Sequence, residues 1–269
     1  MFEEAPSAHA APEAAEQRTA SPSARLQKFE ETPPDTAAPE APARILESIR
    51  LIAAHYGLWF AEAVHQFGLE SALQAERAAG DAAVGLALNR LGGGANPFEG
   101  WTPESLHQLE ESLSKFWLGM DGVWFQAVEG ISGMDGAKRV NDTCWARFAP
   151  LEAVRIKALL GISAASDPLE ALEACLRQRF NSRVNTVLIE REPGALVLRV
   201  TSCRVQAARR RKNLPDYPCR SAGVTEYEGF ARAVDPRIRT RCLACPPDPL
   251  PEDEYCSWRF SLDRSPGTP

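Results

Sequence analysis

Near Phe180 the hydrophobic period of this sequence changes from about 3.6 residues to 2, and that change restricts the kinds of fold open to it. Upstream, Ile45, Ile49, Ile52, Tyr56, Trp59, Phe60, Val64 and Phe67 recur at spacings of three and four. So do Leu106, Leu109, Leu113, Phe116, Trp117, Met120, Trp124 and Val128. Downstream, residues 182–192, 195–203, 237–243 and 255–263 alternate like strands. Helices followed by a few strands predict an α+β chain: a helical N-terminal domain, then a small antiparallel sheet with helices.

Local signals set the boundaries. Residues 1–42, rich in Ala, Pro, Glu and Ser, bury too little apolar surface to offset their ordering entropy and read as a disordered tail, with a docking peptide near Leu26 to Phe29 as a minor alternative. Residues 43–149 form the helical domain, 150–264 a cysteine-rich α+β domain, and 265–269 a disordered end. Gly68 ends one helix, Thr102-Pro103-Glu104 caps the start of another, and Gly133 interrupts it. Pro150 and Asp167-Pro168 start two more, ending near Leu160 and Phe180. Pro193-Gly194 suits the centre of a type II turn between the first two strands. A short helix over 225–234 stops at Asp235-Pro236. An internal repeat supports the helical half: GLWFAEAVHQFGLESA at 57–72 aligns without gaps onto GVWFQAVEGISGMDGA at 122–137, with Gly57/Gly122, Trp59/Trp124, Phe60/Phe125, Gly68/Gly133 and Ala72/Ala137 identical. Two similar helical hairpins are therefore expected, too few units for a solenoid.

The N-terminus has no signal-peptide h-region and no stretch could span a bilayer, which points to a cytoplasmic protein without membrane contact. Of the net charge of -6, five units fall in residues 1–42, leaving the remainder close to neutral and nucleic acid disfavoured as a partner. In a reducing compartment, seven cysteines suggest metal ligation, catalysis or plain burial rather than disulfides.

Five of the seven lie between positions 203 and 256. Cys242-Leu-Ala-Cys245 fits a tight metal-binding turn, Cys219 lies in a loop after Pro218, and Cys203 or Cys256 completes four thiolates for Zn or an Fe-S cluster. Cys256 also shares a strand face with Trp258 and Phe260, the position of an ordinary core cysteine. Arg209 and Arg220 offer an anion contact, against the plainer reading of Arg209 to Lys212 as a solvated basic turn. Trp124, Asp121, Asn141 and Cys144 could line a cleft for a small-molecule ligand between the repeats. Glu62 with His65 and Glu104 with His107 have the Glu-x-x-His spacing of di-iron bundles, but the two further glutamates required are not evident. Homo-oligomerisation is left open, and no catalytic residue is assigned.

The segments MDGVWFQAVE, MDGAKRVNDTCWARFAPLEAVRIKALLGI, CRVQAARRRKNLPDYPCRSAG, DPRIRTRCLACPPD and YCSWRF resemble an uncharacterised family of bacterial cytosolic proteins, a domain of unknown function, over about residues 44 to 263. More distantly, the order of elements and the ending from Cys242 to Phe260 are similar to thiazoline-carboxylate hydrolase-like and vinyl-reductase-type ligand-binding domains. That resemblance implies a pocket between sheet and helices, with the cysteines holding a metal or facing a ligand. The expected function is a cysteine-metal protein with a small-ligand domain in a sensor or accessory role. The alternative is a hydrolase of a ring C-N or C-S bond using a cysteine thiolate or metal-bound water, with His55, His65 and His107 as the bases on hand.

Overall fold

A computed structural model describes residues 41–90, 98–251 and 253–262. Residues 1–40 and 265–269, where the tail, its docking peptide and the end were placed, lie outside the described residues. Among the described residues, six helices and four strands follow in order: α1 (Ala41–Arg90), α2 (Pro103–Leu159), α3 (Pro168–Gln178), α4 (Phe180–Val184), β1 (Thr186–Glu192), β2 (Ala195–Ser202), α5 (Arg204–Arg211), α6 (Arg220–Val234), β3 (Ile238–Ala244) and β4 (Cys256–Leu262). The chain is α+β. It divides into Met1–Leu58 and Trp59–Pro269. In the first unit the described residues are the opening turns of α1, with Ile45, Ile49 and Ile52 exposed. All that follows concerns the second.

Both long helices are broken where the repeat placed its glycines. Gly68 has φ 80°, ψ 166° and Gly133 has φ 71°, ψ 177°, the same conformation at equivalent positions and one that a β-carbon resists. The equivalent alanines, Ala72 and Ala137, are both buried. Thr102 caps α2, accepting from the Ser105 amide at 3.1 Å, and Asp167 caps α3, accepting from Leu169 and Glu170 at 3.0 Å.

Four expectations need correction. Pro150 does not start a helix: α2 runs through it to Leu159, and the ring packs beside Gly229 of α6. The first strand begins at Thr186 rather than 182, because Phe180–Val184 forms a helical turn in which Ser182 Oγ donates to the Leu176 carbonyl at 2.6 Å. Arg209 to Lys212 is not a turn but the last residues and cap of α5, while α6 begins at Arg220, five residues earlier than the apolar pattern suggested.

The sheet is antiparallel in the order β1-β2-β4-β3, and Gly194 has the φ of 71° that its turn requires. One face packs on α2, α3 and α6. Leu196, Leu198 and Val200 of β2 and Trp258 and Phe260 of β4 join Leu172, Leu176, Tyr227, Phe230 and Trp145 in one core. Inside that core lies a charge. Arg179, between α3 and α4, is buried, with Nε 2.8 Å from Glu152 of α2 and Nη2 2.8 Å from Glu226 of α6. Burial opposes its charge, but the two carboxylates outweigh that and hold the guanidinium pKa above its ordinary value. The Glu226 carboxyl is raised by burial despite Arg179.

Helix α6 approaches β4 so closely that a β-carbon at Gly223 would lie 2.6 Å from Trp258 Cζ2, whereas one at Gly229 would meet Pro150 Cδ at an ordinary 3.5 Å. Gly223→Ala should therefore lower the urea-unfolding free energy by about 1–3 kcal/mol. Gly229→Ala on the same helix should be neutral or stabilising by up to about 1 kcal/mol. Equal effects at the two sites would show that this close approach does not set the helix position.

Candidate functional site

The five cysteines of the C-terminal region converge. β2 ends one residue before Cys203, which becomes the N-cap of α5, and Cys219 occupies the N-cap of α6. Cys256 opens β4, opposite Val200. Cys242 and Cys245 come from β3 and the residue after it. In a regular strand residues three apart face opposite sides. Here the β3–β4 register shifts between Cys242 and Ala244, a bulge that re-aims the strand so that both sulfurs reach the cluster. The backbone ties the pieces together: the Arg220 amide donates to the Pro246 carbonyl at 3.0 Å, and Tyr255 donates to Val200 at 2.8 Å.

Cys245, buried, is the hub. Its thiol shares hydrogen bonds with Cys219, Cys256 and Cys242, and Cys203 lies within the electrostatic reach of Cys219 and Cys256. All seven cysteines of the chain are free. Bonding to Cys219 and Cys256, reinforced by burial, keeps the Cys245 proton in place and raises its pKa. The reciprocal bond from Cys245 lowers that of Cys219, in spite of its own burial. Burial pushes Cys203 up to about 11 and raises Cys242 as well. Within the cluster Cys219 is shifted toward ionisation, while Cys203, Cys242 and Cys245 are shifted away from it. Among the described residues no group of three or more His, Cys, Asp or Glu side chains stands ready-formed as a metal site.

Three neighbours gave no signal in the sequence. Gln206 of α5 is buried and clamps the loop ahead of Cys219: Nε2 donates to the Tyr217 carbonyl at 2.9 Å, Oε1 accepts from the Tyr217 amide at 2.8 Å, and Nε2 stands 3.1 Å from Cys219 Sγ. Lys138, on α2 beyond the Gly133 break, donates to the Pro218 carbonyl at 2.7 Å and to Ser221 Oγ at 2.9 Å, and its charge favours the Cys219 thiolate. Tyr217 lies between them, its phenol pushed up to about 12 by burial. The Tyr217 carbonyl, 3.2 Å from Cys219 Sγ, accepts a hydrogen bond from the thiol. A lone glutamine in a short basic helix carries no periodic mark, which is why only the folded chain reveals it.

The remaining candidates separate. Arg220 pairs with Asp248 at 2.6 Å and lies close enough to favour the Cys242 thiolate. Arg209 donates to the Pro215 carbonyl at 2.6 Å and so closes its own loop. Asp121 and Cys144 come together across the Gly133 break, the carboxyl raised by burial and the thiol raised by burial and by Asp121. Asn141 donates to Tyr217 Oη at 3.2 Å. Trp124 does not join them: its ring is largely exposed to solvent. Of the Glu-x-x-His pairs, Glu62 and His65 form a local ion pair at 3.5 Å on an exposed face. Beside the cysteines, Thr201, Arg210, Leu250, Pro251, Asp253, Glu254 and Tyr255 line an open pocket of about 350 Å³. Arg210 lies over the Tyr255 ring, 5.0 Å from its centroid, and pairs with Asp216 at 2.8 Å.

A model described as a family of unknown function (DUF6125) matches residues 101–262, more than half of the chain and the whole of the cysteine cluster. No curated protein and no solved structure matches.

Replacing Gln206 by Ala should remove the clamp on residues 217–219 and leave the Tyr217 backbone groups unsatisfied. An expected loss of about 2–4 kcal/mol in chemical denaturation follows, together with faster alkylation of Cys219 read by mass spectrometry. Unchanged stability and an unchanged alkylation rate would assign the loop's order to another contact.

Proposed function

We propose, from the premise that this chain belongs to the DUF6125 family, that its converging cysteines bind a metal, Zn or an Fe-S cluster, beside a small-ligand pocket. The observation that carries this reading is the bonding of Cys245 to Cys219, Cys256 and Cys242, with Cys203 alongside, all free. Four thiolates satisfy Zn or the irons of a cluster. Five sulfurs drawn from four separate stretches of chain are more than core filling requires, since burial alone gives no reason to bring like atoms together. Metal binding would replace the thiol protons, relieving the conflict that raises Cys245. A thiolate-bound metal adds on the order of 10 kcal/mol of coupled folding energy in small domains. Cys219, Cys242 and Cys245 are the assigned ligands, with Cys203 or Cys256 as the fourth. The pocket shares Tyr255 with the chain entering Cys256, so a ligand bound there would lie near the proposed metal. A sensor or accessory role in the cytoplasm accords with such a structural metal beside a ligand pocket.

A second reading is favoured by the depressed pKa of Cys219: a thiolate nucleophile in a hydrolase of ring C-N or C-S bonds. Both readings are tested on anaerobically purified protein. The metal reading expects about one Zn per chain or the charge-transfer absorption of an Fe-S cluster. Cys245→Ser should lose the metal, Cys144→Ser should keep it, and the ligand cysteines should alkylate slowly until a chelator is added. Metal-free, folded protein whose Cys219 alone alkylates rapidly would sink the metal reading and support the nucleophile.

A further inference from the structure

The first segment of α2, before Gly133, is apolar on two faces. One face is used inside the protein: Ser114 is buried, Trp117 stacks on Phe148 and Phe180 at 6.0 and 5.3 Å, and Phe125 meets Tyr217 at 5.1 Å. The other is bare. Leu113, Phe116, Met120 and Val123 follow one another at spacings of three, four and three, with Ala127 four further on, and Trp124 and Ile131 flank them. Phe116 is 70% exposed, Trp124 67% and Ile131 87%. Among the exposed positions from 112 to 131, Lys115 is the only charged side chain, and it is paired with Glu111 at 2.6 Å. A helix that served only as surface would carry charge on this face.

We infer that this face binds a second copy of the chain, the two α2 segments crossing antiparallel in an isologous dimer. Three observations favour a second copy over a different partner. The 3-4-3-4 spacing is the seam of a coiled coil, which is complementary to itself. The six exposed side chains present on the order of 700 Å² of apolar surface per copy, close to the roughly 800 Å² that each partner of a stable complex buries. The face is almost uncharged and so offers nothing for a partner of opposite charge to recognise. In an antiparallel pair centred between Met120 and Trp124, Leu113 of one copy meets Ile131 of the other. Each residue of the stripe is then buried twice over, so one substitution acts at two places.

Full-length protein, kept reduced, should sediment and elute at twice the 29.4 kDa chain mass at about 50 µM. Trp124→Glu and Ile131→Lys should each weaken the dimer about a hundredfold and leave the chain mass alone, with native far-ultraviolet circular dichroism. Gln108→Glu, outside the stripe, should leave the dimer unchanged. A monomeric wild type, or a dimer whose mass neither stripe variant alters, would overturn the inference. So would a wild type seen only in stoichiometric complex with another protein. Because both stripe positions are largely exposed, loss of fold in one variant leaves the other to decide the question.

Discussion

The buried guanidinium of Arg179 is the contact on which the rest of the structure depends. It sits at the joint between α3 and α4 and reaches Glu152 on α2 and Glu226 on α6, so three separate stretches of chain meet at one charge. Aromatic rings close the shell, with the centroids of Phe230, Tyr227 and Trp145 at 4.5, 5.3 and 5.9 Å from Cζ. Asn181 adds amide contacts to Glu226 and Tyr227 Oη, both at 3.4 Å. Desolvating three charges is expensive, and apolar replacements of equal volume would be no less stable. What the triad supplies is a unique arrangement, since any register of α2, α3 and α6 that separates the charges leaves one of them buried and unpaired, at about 3–5 kcal/mol.

From that joint the order passes to the sulfur cluster through two rings. Tyr227, in contact with Arg179, stacks on Trp258 at 4.8 Å, and Trp258 sits against the bare α-carbon of Gly223. Helix α6 is thereby fixed over β4, and its first residue holds Cys219 against Cys245 while β4 holds Cys256. The β3 bulge and the Gln206 clamp complete the approach from the other two directions. The thiols come from separate elements, apart from Cys242 and Cys245, which share one bulge, yet all five converge. Hydrogen bonding and burial then shift Cys219 toward ionisation and Cys245 away from it.

The parts of this arrangement that could be read from the sequence are those with a local or periodic mark. Gly68 and Gly133 stand out because the repeat aligns them, Pro193-Gly194 because its turn demands a positive φ, and Cys242 and Cys245 because of their spacing. The α+β class follows from the change in period near Phe180. Arg179, Gln206 and Lys138 carry no such mark. Each is a single polar residue whose partners lie 27, 11 and 80 positions away, and only tertiary structure tells a buried polar side chain from an exposed one. Pro150 misled for a related reason: proline usually opens a helix, but the neighbouring α6 stabilises α2 where its hydrogen-bond ladder is interrupted.

Helix α2 presents a different face on each side of its break. Beyond Gly133 it places Lys138 against the Cys219 loop, and before Gly133 it presents the bare apolar stripe. The break between them sits where Asp121 and Cys144 meet, a carboxyl and a thiol each made harder to ionise by burial. A rigid pairing of two chains along the first segment would also fix the angle at Gly133, because the opposite face of that segment is locked on Tyr217 through Phe125. Tyr217 is the residue that Gln206 clamps two positions ahead of Cys219. Phe125 touches Tyr217, and the Tyr217 carbonyl touches Cys219 Sγ, so the first segment of α2 and the sulfur cluster meet through one short run of contacts.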